Sequence, residues 1–186
     1  DRVFSWFVRG LSAGRLASAA RALVVPRVLP RLLRSSWLRA TAFRFASELR
    51  IHYRQSAAVT EGAPRPRRGP RAGDRLPDAR VSLDGHPTWL QRAVIGPHLS
   101  LLLCGDPDGW DAVRLAALAQ RRPGLLCIHR LARAPGPGVL VDGGAALDLL
   151  GAGAAAQYLV RPDGYVAFRC GGYDLDAVTR YLGDWF

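Results

Sequence analysis

Lysine, asparagine and methionine are missing from this chain of 186 residues, and all 26 of its basic side chains are arginine. The absent residues have A/T-rich codons while Arg, Ala, Gly and Pro have G/C-rich ones. Part of the formal charge of +11 therefore reflects codon usage rather than a polyanionic partner. Cysteine is scarce. Cys104, Cys127 and Cys170 are an odd number, widely spaced, in a chain too long to need stapling, which fits a reducing cytoplasm and not a disulfide framework. No stretch approaches the roughly 18 consecutive apolar residues of a membrane span, because Arg21, Arg27 and Arg31 interrupt the best candidate. No leader with an apolar core and a small-residue cleavage site opens the sequence. The first residue is Asp1 and not Met, as in a trimmed chain or a piece of a longer one. Also lacking are G-x-S-x-G, the phosphate-binding P-loop, H-E-x-x-H and a G-x-G-x-x-G following a strand, which removes the commonest hydrolase, nucleotide and zinc-protease readings.

The residues that are present divide into three parts. Hydrophobic residues make up 49% of the chain, enough for a folded core. The net charge is +9 over residues 1–60, +3 over 61–80 and −1 over 81–186. Residues 1–55 read as a helical segment: Val3, Phe4, Phe7, Val8 and Leu11 form one apolar stripe, Leu16, Ala19, Ala20, Leu23 and Val24 a second, and Leu38, Ala42, Phe45, Ala46 and Leu49 a third. Pro26 and Pro30 break the run, and Ser35 or Ser36 caps the third helix. Arg27, Arg31 and Arg34 share a helical face. A solvated face, or one paired with acids of a neighbouring domain, is the favoured reading, because no aromatic residues interleave as a nucleic-acid platform needs. Residues 56–79, rich in Pro, Gly and Arg, read as an extended, stiff linker, and residues 80–186 as the folded domain.

Within that domain the spacing predicts short strands at Val81 to Leu83 and Val139 to Asp142, and two doubly buried strands at His98 to Cys104 and Leu125 to Leu131. A helix runs from the acids Asp106, Asp108 and Asp111 to Arg121 and Arg122, and a short one from Ala145 to Leu150, with Asp142 near its start and Gly151 ending it. Trp89 to Val94 is ambiguous. Gln157 to Arg169 reads as a hairpin closed by Arg161-Pro-Asp-Gly164, with half-buried strands that alternate on either side. The last helix spans Tyr173 to Phe186, its apolar stripe formed by Leu175, Val178, Leu182 and Trp185. Parallel buried strands joined by a helix, then a hairpin and a terminal helix, make an α/β fold. It is a thioredoxin-like C-terminal domain preceded by an N-terminal amphipathic helical segment.

The residues offer little chemistry. A working thioredoxin carries C-x-x-C where the first strand meets its helix, so that the helix start stabilises one thiolate and a second thiol resolves the mixed disulfide. Here Cys104 stands alone beside acids that raise a thiol pKa. Cys127 and His129, two apart on a strand, face the same side, but no further ligand stands at a useful spacing. His52, His86 and His98 are isolated. No catalytic, cofactor-binding or metal residue is assigned.

Three motifs carry a resemblance: Glu48 to Ser56, Gly73 to Val81, and Gly151-Ala152 leading to Tyr158 to Arg169. In order and spacing they resemble the C-terminal portion of FAD-dependent aromatic-ring hydroxylases, the flavoprotein monooxygenases related to phenol and pentachlorophenol hydroxylases. The resemblance covers nearly the whole chain. It implies an accessory or association part of an enzyme that uses NADPH to reduce FAD and hydroxylates an aromatic ring, a part without the FAD-binding domain and not competent alone. Whether the chain is itself an enzyme is left open. Implied partners are a second copy or the missing flavin domain, with no nucleic acid and no membrane; the implied location is cytoplasmic. The alternative is a free-standing, redox-inactive thioredoxin-like interaction module with a basic helical arm.

Overall fold

The apolar run from Leu99 to Cys104 decides the architecture, because a strand buried along its whole length must be covered on both sides. A computed structural model describes residues 52–186. The three amphipathic helices expected before residue 51 lie outside the described residues. In chain order the elements are β1 (Thr60–Glu61), β2 (Arg80–Leu83), β3 (His86–Trp89), α1 (Leu90–Val94), β4 (Leu99–Gly105) and α2 (Ala112–Gln120). There follow β5 (Leu126–Ala132), β6 (Val139–Asp142), α3 (Ala146–Leu150), β7 (Ala155–Val160), β8 (Val166–Gly171) and α4 (Asp176–Trp185).

The eight strands among the described residues join one sheet in the order β1-β8-β7-β4-β5-β6-β2-β3. β4 and β5 run parallel around α2, while β7 and β8 pair antiparallel to each other and β7 antiparallel to β4. A βαβ unit beside a hairpin and a final helix, in the order β8-β7-β4-β5, is the thioredoxin arrangement. Both faces are covered. Leu102, Cys104, Tyr158 and Val160 pack with α1 and α3 on one side, and Leu101, Leu103 and Leu159 pack with α2 and α4 on the other. Each such leucine, buried completely, contributes about 2 kcal/mol of apolar transfer.

Local chemistry sets the helix ends. Asp111 caps α2 by accepting the Arg114 N–H at 3.0 Å. Asp142 Oδ1 gathers the N–H groups of Gly144, Ala145 and Ala146 before α3, and Gly151, left-handed at φ 62°, ends it.

Five expectations change. The hairpin is buried on both faces rather than half-buried, because α1 and α3 cover one face of β7 and β8 and α2 and α4 the other. Its alternation is interrupted: Leu159 pairs Phe168 and Val160 pairs Val166, so Ala167 is an extra residue and joins Phe168 on the α2 and α4 face. Arg169 is buried, 5% exposed. Trp185 is 45% exposed, and Tyr181 takes its place in the buried stripe of α4.

The fifth concerns residues 56–79, which are laid along the domain instead of bridging away from it. β1 pairs with β8, the Gly62 N–H reaches the Arg169 carbonyl at 2.8 Å, and Ala72, Leu76 and Ala79 are buried. Proline and glycine make this segment extended, and an extended backbone offers carbonyls that a buried arginine can use. Arg169 bonds Glu61 at 2.7 Å and the carbonyls of Arg68 and Pro70 at 3.1 and 2.9 Å.

Candidate functional site

The three motifs of the sequence converge at the place where residues 52–54 meet the hairpin turn. The turn closes as its residues require: Gly164, at φ 83°, donates its N–H to the Arg161 carbonyl, and Asp163 accepts the Tyr165 N–H. Against it lies Gly73 to Leu76. The Val166 N–H reaches the Asp74 carbonyl, the Gly73 N–H reaches the Val166 carbonyl at 2.7 Å, and the Leu76 N–H reaches the Gly164 carbonyl. On top sits Tyr53, edge-on to the Tyr165 ring at 4.8 Å, with the Arg161 guanidinium 5.4 Å from its centroid.

Asp74 fastens the group. Arg54 grips it with two bonds of 2.6 and 2.8 Å, His52 Nδ1 stands 3.0 Å away, and the Arg71 N–H donates to it at 2.9 Å. Burial pushes the Asp74 carboxyl up, but the hydrogen bonds from Arg54 and Arg71 and the charge of Arg54 outweigh it and hold the pKa below the usual carboxylate range. A lowered carboxyl stabilises the fold above its unfolded pKa, and the stabilisation is withdrawn as pH falls through the folded value. Asp74→Asn should therefore cost about 1 kcal/mol at neutral pH and almost nothing in strong acid. Thermal melts of both proteins across the acid range check this; a deficit independent of pH would contradict the assignment.

The thioredoxin junction holds no redox pair. Cys104 is completely buried at the end of β4, and burial, with Asp142 nearby, pushes its thiol well above the ordinary range. Its side chain packs into the core on the α1 and α3 face, while on the opposite face of the sheet Trp110 and Tyr173 meet edge-on at 4.8 Å and the Tyr173 hydroxyl accepts the Asp106 N–H. Cys170 is buried as well, its Sγ 3.1 Å from the Ala63 carbonyl, and all three cysteines are free thiols.

One cluster was not legible as such. Parallel pairing sets Ser100 beside Cys127 and Leu102 beside His129, so the start of β4 runs next to the start of β5 and brings His98 to them. The ligating atoms of His98, Cys127 and His129 lie within 4.8 Å of one another. His129 Nε2 is buried with no hydrogen-bond partner among the described residues, and burial, aided by the nearby His98, lowers its pKa and favours the neutral ring. The sequence holds the Cys-x-His pair, but its third member comes from a distant segment and only strand pairing supplies it.

The profile of the aromatic-ring hydroxylase C-terminal domain matches residues 69–186. The chain belongs to this family. Among solved structures it resembles the flavin-dependent monooxygenase PieE, determined with FAD and substrate. That likeness has 19% identity over 97% of this chain and 31% of PieE, with a TM-score of 0.60. It also resembles aklavinone-11 hydroxylase, determined with FAD and aklavinone, at 27% identity over 72% of this chain and 25% of that one, with a TM-score of 0.53. The chain thus spans between a quarter and a third of the length of either enzyme. No curated protein sequence matches it.

A flavin dinucleotide brings a pyrophosphate, which seeks free N–H groups at a helix start after a strand. The junction from β4 to α2 does not fit that group. Asp111 occupies the Arg114 N–H, Asp106 occupies the Asp108 N–H, and with Asp108 these carboxylates repel a further anion. Among the described residues no helix is long and apolar enough to cross a membrane.

Proposed function

We propose that this chain is the accessory and association part of an FAD-dependent aromatic monooxygenase, in which NADPH-driven ring hydroxylation is carried out by a flavin domain outside it. The observation that carries the reading is the convergence of the three motifs. Tyr53 and Arg54 are locked onto the hairpin and the segment beside it by Asp74, Arg161 and Tyr165. A scaffold needs such a lock, and the groups in it neither form an enclosed cleft nor pair a nucleophile with a base.

The acids at the start of α2 and the buried Cys104 support the same reading, since neither dinucleotide binding nor disulfide exchange suits them. Three free thiols fit a cytoplasmic location. A second copy of the chain or the flavin domain is the partner this role requires. The purified chain should show no flavin absorbance and take up no FAD in equilibrium dialysis; stoichiometric FAD would overturn the proposal.

A further inference from the structure

We infer that His98, Cys127 and His129 form a binding site for zinc or a similar divalent transition ion, held by two imidazole nitrogens and one thiolate with a fourth position open. The donor set is the first reason. Imidazole and thiolate are the ligands zinc prefers, and catalytic or exchangeable zinc sites are built from three protein ligands and one open position. Among the described residues this is the one group of three such donors brought within reach. The second reason is the buried Nε2 of His129, which has no hydrogen-bond partner among the described residues.

The geometry allows closure. A tetrahedral zinc holds its N and S ligands about 3.4–3.6 Å apart, so the three atoms, now within 4.8 Å, draw in by roughly an ångström. Side-chain rotation on two adjacent strands supplies this, while the strands themselves stay in register. Room for the His98 ring comes from Gly96, where a Cβ would stand 2.8 Å from the ring's Cε1. The site lies at the opposite end of β4 from Cys104, so it owes nothing to the thioredoxin junction. On binding, the zinc–sulfur bond replaces the Cys127 S–H bond and the thiol proton leaves to the buffer.

The test uses the chelator-stripped full chain. Calorimetric titration with zinc should show one equivalent bound and about one proton released when buffers of different ionisation enthalpy are compared. Cobalt should give tetrahedral ligand-field bands and a thiolate charge-transfer band. His98→Ala should weaken binding about a hundredfold, Cys127→Ser should abolish the charge-transfer band, and His86→Ala, on the edge strand, should change neither. Should a variant fold poorly, the unaltered chain still decides: zinc must protect Cys127, the most accessible of the three thiols, from a thiol reagent. Absence of stoichiometric binding, binding indifferent to His98→Ala and Cys127→Ser together, or Cys127 equally reactive with and without zinc would each overturn the inference.

Discussion

Glu61→Gln should lower the stability of the domain by about 3–5 kcal/mol. It should also open the neighbouring segment to trypsin after Arg67, Arg68 and Arg71. The Arg169 side chain is 7% exposed and that of Glu61 21%, so their 2.7 Å bond lies largely out of water. An ion pair there is of modest net value compared with an apolar pair, because desolvation offsets most of the attraction; removing one partner is different, because the remaining charge is left buried and uncompensated. Glu61 has a second task, since its other oxygen accepts the Ala72 N–H at 2.9 Å. Residues 61–72 thus form a loop whose two ends are joined by one carboxylate, with Arg169 inside it holding the carbonyls of Arg68 and Pro70.

The urea midpoint measures the stability, and the rate of limited trypsinolysis reports the detachment. The double variant Glu61→Leu with Arg169→Met separates the two effects, since it removes both charges: it should lose clearly less than the sum of the single losses. A Glu61→Gln protein within about half a kcal/mol of the original would show that the segment is held by its backbone pairing to β8 alone.

That loop marks the boundary of what sequence reasoning reached. β4 was legible because burial on both faces leaves only Ser100 to interrupt its apolar run. β5 was placed correctly, but the burial on both faces expected of it does not hold, since only Leu131 and Ala132 are fully buried and His129 and Arg130 interrupt it. α2 was legible because Asp111 and the arginine pair mark its ends. The turn at Arg161 to Gly164 follows from proline, aspartate and glycine at fixed offsets. Each of these signals is local.

The errors are non-local. Proline, glycine and arginine in residues 56–79 describe an extended backbone correctly, but nothing in them says that Arg169, far along the chain, is buried and seeks carbonyls. His98 looks isolated until the pairing of β4 with β5 brings it near Cys127 and His129. β3 is a partial exception. The ambiguous stretch from Trp89 to Val94 resolves into the last residue of a strand followed by a short helix, and the signal for that strand was present. Asp84 and Gly85, with φ of 49° and 80°, make a two-residue turn between β2 and β3, as an Asp-Gly pair between short runs suggests. Pro87 is tolerated because β3 is the sheet's edge.

Residues 61–72 produce the other large effect as well, at two glycines that meet. Gly151 ends α3 at φ 62° and Gly153 follows at φ 60°, so the backbone penalty for a side chain is the same at both, about 1–2 kcal/mol. Their surroundings differ. A Cβ on Gly153 meets nothing within 4 Å, whereas one on Gly151 would stand 2.5 Å from the Arg68 carbonyl carbon and 2.6 Å from its oxygen. From the other side, a Cβ on Gly69 would stand 1.9 Å from the Leu150 carbonyl oxygen. The obstruction is backbone in both directions, and no rotamer change relieves it. Gly153→Ala should therefore cost only the conformational term, while Gly151→Ala should cost a further 1–3 kcal/mol or so, as overpacking does, and Gly69→Ala at least as much. Because Arg68 lies between Gly69 and the Arg169 bond, Gly151→Ala combined with Glu61→Gln should be less than additive: once either change has released residues 61–72, the other has little left to disturb. Equal losses for Gly151→Ala and Gly153→Ala, or strict additivity with Glu61→Gln, would mean that the segment does not sit against α3.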